Sequence, residues 1–191
     1  MSSDITMERI AEASPLFKAR LAGVFYVLVF VTGGLALFVR GSLGSAAGLI
    51  AGACYIAVTL LFYGIFKPVN RNLSLLAAFI SLVGIIIGPL SLLVHAASYI
   101  NPLVFFGFYC LLIGYLIFRS TFLPRILGVL MVCAGLGWLT FLSPPLANSL
   151  SPYIFIPGLL GEGALTLWFL IMGVNVQRWK EQASAAEEYR S

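Results

Sequence analysis

Six stretches of this chain are apolar over about the length that a helix needs to cross the hydrocarbon of a bilayer, roughly 20 residues at 1.5 Å each. They are residues 21–39, 41–66, 73–97, 102–118, 126–142 and 154–176, and only short polar breaks separate them. Inside lipid no water satisfies the backbone, so each stretch must close its own hydrogen bonds, which a helix does. The pattern predicts an all-α polytopic membrane protein, a six-transmembrane-helix bundle over residues 21–178. A polar arm (1–20) precedes it and a mixed-charge tail (179–191) follows it. With 61% hydrophobic and 9% charged residues, the 191-residue chain leaves no room for a soluble domain.

The cations set the expected orientation. In a six-span arrangement Arg9, Lys18, Arg20, Lys67, Arg71, Arg119, Arg125, Arg178, Lys180 and Arg190 all fall on one side, and Arg40 falls on the other. This bias predicts N-in/C-in topology, with arm and tail cytoplasmic, in a bacterial inner (plasma) membrane. The basic residues stand singly or in twos between apolar runs, a pattern that serves membrane orientation and argues against nucleic acid as a partner. Lys18 and Arg20 ahead of the first run raise a signal-peptide reading. The run is long for one, however, and Arg40 interrupts a small-residue cleavage site, so it is read as a span.

Gly44, Gly48 and Gly52 recur every four residues in the second run, on one helix face where a neighbouring backbone can approach closely. They predict a packing seam inside the bundle or a homo-oligomer through the glycine face of span two. Pro89 predicts a kink in the third run. Cys54, Cys110 and Cys133 lie in apolar runs without metal-ligand spacing and read as small packing residues. Within the apolar runs no pair of ligands stands at i,i+3 or i,i+4, so neither a metal nor another cofactor is expected.

Glu162 is the single acidic residue within the six runs. A charge at such depth costs at least a few kcal/mol unless a proton, water or a cation meets it, which makes it a functional candidate. Counting back from Arg178 at about 1.5 Å per residue puts Glu162 roughly 24 Å from the cationic side. Asn101 and Thr140 come out at similar height, with Ser91 about a turn further out and His95 roughly 12 Å beyond Glu162. The expected cluster is Glu162, Asn101, Thr140, Ser91, His95 and Thr166 in the outer half, with Gly161 and Gly163 thinning the helix beside the carboxyl. Glu162 then either bonds a neighbour, such as Asn101, Thr140 or Thr166, or binds a proton or cationic substrate during transport. Ser91 and Ser98 lie near His95, but no nucleophile-elbow pattern surrounds them, and the reading leans against an enzyme. It is that of an integral membrane protein of unassigned molecular function. The alternatives are a small proton-coupled transporter using Glu162 in an outward-facing cavity, and an accessory or scaffold subunit of a membrane complex. Beyond the bilayer, any small-molecule ligand is unidentified.

Residues 105–120 (FFGFYCLLIGYLIFRS), 122–130 (FLPRILGVL) and 173–179 (GVNVQRW) carry a further signal, joined by 67–71 (KPVNR) and Gly161-Glu162. In these the chain resembles a bacterial family of multi-pass membrane proteins designated only as domain-of-unknown-function family 4386, and the likeness extends from about Arg20 onward. The resemblance implies an integral membrane protein and supplies no reaction.

Overall fold

The computed structural model describes residues 14–93 and 101–188, the side chains of 90–93 excepted. Among these residues the chain is helical without strands: α1 (Pro15–Phe38), α2 (Ser42–Phe66), α3 (Arg71–Leu93), α4 (Leu103–Arg119), α5 (Arg125–Leu139), α6 (Pro144–Leu150), α7 (Phe155–Ile171) and α8 (Val176–Glu188). A 3-10 turn, Thr140–Leu142, extends α5. Four helices are long and apolar enough to cross a membrane: α1, α2, α3 as far as Pro89, and α5 with its 3-10 turn. The pair α6 and α7, bent by 79° at its break, would make a fifth, and the 17-residue apolar α4 is slightly shorter than these. This is a multi-pass arrangement.

Local chemistry sets the helix ends. Ser14 Oγ accepts the Phe17 amide at 3.2 Å and Pro15 opens the first turn, so α1 begins within the polar arm. Asn70 and Asn175 cap α3 and α8 by accepting the amides of Leu73 (3.0 Å) and Arg178 (3.1 Å). Gly173, at φ 68°, ends α7 in the left-handed conformation that glycine adopts most cheaply. The last apolar helix is therefore shorter than the apolar run 154–176, and residues 176–188 form a separate helix.

The packing order is α1–α2–α3–α4–α5–α7 and back to α1, a closed ring of six helices. Its interior is built from Tyr26, Tyr55, Phe62, Tyr109, Ile113, Met131, Leu165 and Phe169. Outward positions such as Val24, Val31, Leu60, Phe79 and Leu167 are exposed and apolar, as lipid contact requires. Glycines let the helices approach. A Cβ on Gly114 would lie 2.9 Å from the Gly128 carbonyl, and one on Gly107 would lie 3.0 Å from the Gly135 carbonyl, so α4 and α5 meet backbone to backbone. The expected seam glycines face this same chain: Gly48 is near Ala36 of α1, Gly52 near Ile85 of α3, and Gly44 abuts the Val39 carbonyl at the α1–α2 corner.

One end of the ring is a cationic crown. The Trp179 indole donates to the Ile65 carbonyl at 2.8 Å, Gln182 Nε2 to the Arg119 carbonyl at 3.3 Å, and the Asn175 amide to the Phe122 carbonyl at 3.3 Å. Leu16 meets Gly173. These contacts bring the start of α1 and the ends of α2, α4 and α7 to one face, with Lys18, Arg20, Lys67, Arg119, Arg178 and Lys180 around it. Arg40 lies at the far end of α1.

Candidate functional site

Glu162 lies at the middle of α7, and ring closure turns it inward until only 8% of it is exposed. Its Oε1 accepts the Trp138 indole N–H at 2.7 Å and lies 3.8 Å from the Cys110 thiol. Oε2 accepts the Tyr26 hydroxyl at 3.0 Å, and Tyr26 Oη is 3.3 Å from Tyr55 Oη, where either phenol can donate. Side chains from α1, α2, α4 and α5 thus converge on one carboxyl carried by α7.

The neighbouring sequence makes the convergence possible. Gly158 sits one turn before Glu162, and a Cβ there would lie 2.3 Å from the Trp138 ring, so the indole reaches the carboxyl across a notch that glycine leaves open. A Cβ on Gly161 would lie 2.5 Å from the Leu130 carbonyl, so α7 can approach the α5 backbone. Gly163 has nothing within 4 Å. Tyr26 is held between Phe30, Tyr55 and Phe62 at ring separations of 5.7, 5.6 and 5.9 Å. Tyr55 in turn packs edge-on against Phe106 at 4.8 Å. The partners are neutral: an indole, a phenol and a thiol.

This arrangement has a defined chemical repertoire. Carboxyl and phenol can each donate or accept, whereas indole can only donate. A carboxylate accepts from Tyr26 while Tyr26 accepts from Tyr55; a carboxylic acid donates to Tyr26, which then donates to Tyr55. Trp138 holds Oε1 in both arrangements, so the row can reverse without moving its heavy atoms. No group of three or more His, Cys, Asp or Glu suited to a metal occurs among the described residues.

The residues expected from sequence divide. Thr166 touches Glu162 through the main chain, its hydroxyl donating to the Glu162 carbonyl at 2.7 Å. The Thr140 hydroxyl donates to the Gly137 carbonyl at 2.6 Å, and Asn101 Oδ1 accepts the Leu103 amide at 3.0 Å, so neither bonds the carboxyl. His95, and Ser91 by its side chain, lie outside the described residues. The expected outer-half position is corrected as well. The count from Arg178 ran through residues 172–178, where α7 has already ended, and Glu162 stands nine residues, about 14 Å, from Ile171. Cys110 lies equally far from Arg119 at the end of α4, whereas Thr140 and Asn101 lie well beyond that level. Tyr26, Tyr55, Cys110 and Trp138 were missed as partners. The available signal was partial: Tyr55 stands in the middle of its run, 41–66, whereas aromatic anchors stand at the ends, but Tyr26 stands near the start of the run 21–39 and carries no such mark.

Comparison with known sequences agrees with the resemblance. Residues 89–173 match the family described as Domain of unknown function (DUF4386). The match covers less than half of the chain and marks this stretch as similar to that family. It includes Cys110, Trp138 and Glu162, while Tyr26 and Tyr55 come from helices ahead of it. The chain is also 26% identical over 129 residues to an uncharacterized protein of Archaeoglobus fulgidus, covering 62% of this chain and 76% of that one. No solved structure matches. The matched stretch supplies α4, α5 and α7, and α1–α3 complete the ring around its carboxyl.

Proposed function

We propose that this is a six-crossing plasma-membrane protein that takes up and releases a proton at Glu162, coupling that exchange to transport across the bilayer. The observation that carries the reading is the row Glu162–Tyr26–Tyr55, with separations of 3.0 and 3.3 Å, at the centre of the ring. A permanent pin between helices needs only one fixed donor and one acceptor. A carboxyl joined to two phenols can hold its bonds in either direction, which suits a site that gains and loses a proton. In the six-crossing reading α1–α5 and α7 span, α6 lies at the far interface, and both termini share the cation-rich cytoplasmic side. The helix α4, 17 residues and about 26 Å long, reaches that interface by letting Arg119 extend into the headgroups.

The test uses the protein in lipid nanodiscs and proteoliposomes. The Glu162 carboxyl band, isolated by infrared difference against Glu162→Gln, should respond to buffer pH. Proton flux into proteoliposomes should fall at least tenfold in that variant while folding survives. A band indifferent to pH from about 4 to 9 would refute the reading. The complete pairing of both carboxyl oxygens favours a second reading, a structural carboxyl in an accessory or scaffold subunit, for which Glu162→Gln should be tolerated.

A further inference from the structure

Among the described residues two buried hydroxyls have no hydrogen-bond partner: Ser74 Oγ on α3 and Tyr109 Oη on α4. Both residues are almost wholly enclosed, at 2% and 1% exposure. They line the same narrow slot between α2, α3 and α4, together with Thr59, Phe66 and Ala78. Such groups are costly to leave unpaired, the more so where lipid supplies no alternative partner. Their joint placement around one space points to an occupant that can bond to hydroxyls.

The slot's position relates it to the cationic crown and to the carboxyl. Ser74 is three residues from Arg71, in the first turn of α3 on the cationic crown. Tyr109 stands deeper, ten residues before Arg119. Its ring packs against that of Tyr55 at 6.0 Å, and Tyr55 ends the hydroxyl row that begins at Glu162. The unpaired hydroxyls therefore lead from the crown towards the inner end of that row. The Thr59 hydroxyl adds a polar wall, bonded to Ser81 Oγ at 2.7 Å. The slot as it stands is too narrow for water, so filling it requires the side chains that line it to part.

We infer that this slot takes up water from the cationic face and is the route by which protons reach Glu162, with Ser74 at its entrance and Tyr109 at its inner end. The inference rests on the proton-exchange reading above and adds the side and path of entry. The proton passes from water in the slot through Tyr109 and a bridging water to Tyr55, Tyr26 and the carboxylate. Each hydroxyl accepts one proton and gives up another, so only the direction of the row changes.

The test is hydrogen–deuterium exchange of the Glu162 carboxyl band in nanodiscs, with Ala78→Leu to fill the slot and Tyr109→Phe to remove its inner hydroxyl. Each substitution should slow exchange at least tenfold and leave proteoliposome orientation unchanged. Should either variant fail to fold, Ser74→Cys supplies a separate measurement: a small charged thiol reagent should modify it from the crown face, at least tenfold faster than from the opposite face. Exchange in Ala78→Leu as fast as in the unsubstituted protein, or a Ser74→Cys thiol inert from the crown, overturns the route. The proton-exchange reading survives if the Glu162 band still responds to pH. A Glu162 band that neither exchanges nor responds to pH overturns both.

Discussion

The same substitution, made two residues apart, should change stability in opposite directions. A methyl group on Gly161 would sit 2.5 Å from the Leu130 carbonyl and 2.8 Å from the Ala134 Cβ, whereas a methyl group on Gly163 would meet nothing within 4 Å. The Leu130 carbonyl belongs to the backbone of α5 and cannot rotate aside, so in Gly161→Ala α7 must retreat by roughly an ångström. Overpacking of this kind costs about 1–3 kcal/mol. Both variants gain about 0.5–1 kcal/mol from replacing glycine inside a helix. That gain cancels in the comparison. Gly163→Ala should therefore be more stable than the unsubstituted protein, and the two variants should differ by about 1–3 kcal/mol. The assay is equilibrium unfolding in mixed micelles of a mild detergent and dodecyl sulfate, followed by far-ultraviolet circular dichroism. The retreat also pulls Glu162 from Trp138, so the carboxyl band should shift in Gly161→Ala and stay in place in Gly163→Ala. Equal unfolding midpoints for the two variants would refute the close α5–α7 approach on which the site's geometry depends.

Trp138→Phe removes the indole donor from Glu162 Oε1 and should destabilise by about 1–2 kcal/mol with a shifted carboxyl band, read in the same micelles and by infrared spectroscopy. Tyr26→Phe keeps the ring and loses the hydroxyl between Glu162 and Tyr55; it should cost about 0.6–1.7 kcal/mol, the range for hydrogen bonds between membrane helices, and lower proton flux more than it lowers stability. Trp179→Phe deletes the bond from α8 to the Ile65 carbonyl, so trypsin should cut at Arg178 and Lys180 several-fold faster while the ring's unfolding midpoint barely moves. Exchanging the pair, Glu162→Gly with Gly163→Glu, turns the carboxyl towards open space at mid-helix; the few kcal/mol this costs should sharply lower the folded yield in membranes.

The helical, multi-pass character could be read from sequence because it depends on length and hydropathy alone. The exact reach of each helix depends on finer signals. Gly173 followed by Asn175 is a helix stop and a helix start two residues apart, which divides the apolar run 154–176 from the tail and leaves Glu162 at the middle of α7. Attention to spacings of four found Gly44, Gly48 and Gly52, yet the closest backbone approach of α4 and α5 uses Gly107 with Gly135 and Gly114 with Gly128, each seven residues apart on its own helix. Glu162 stood out because nothing acidic shares the apolar runs with it. Its partners could not be read in the same way. Tyr26 lies 136 positions away, and only closure of the ring through the α1–α7 contact brings it to the carboxyl.

That closure bears on what the carboxyl can do. In α1 the inward residues include Ala22 and Tyr26 and the outward ones Val24, Val27 and Leu28, so hydropathy alone scarcely distinguishes the face that should point inward. Lipid is as apolar as the ring interior and cannot make that choice either. Side-chain size and hydrogen bonding must supply it. Small residues set how closely the helices approach, while the bonds at Glu162 fix the rotation of α1, α5 and α7 together, and the Tyr26–Tyr55 contact extends that control to α2. A proton arriving at Oε2 must reverse the Tyr26 and Tyr55 bonds, the same bonds that select those rotations. Exchange at one carboxyl would thus reverse bonds shared by α1, α2 and α7 while the heavy atoms that select those rotations stay in place, so the site can gain and lose a proton without giving up the packing that holds it.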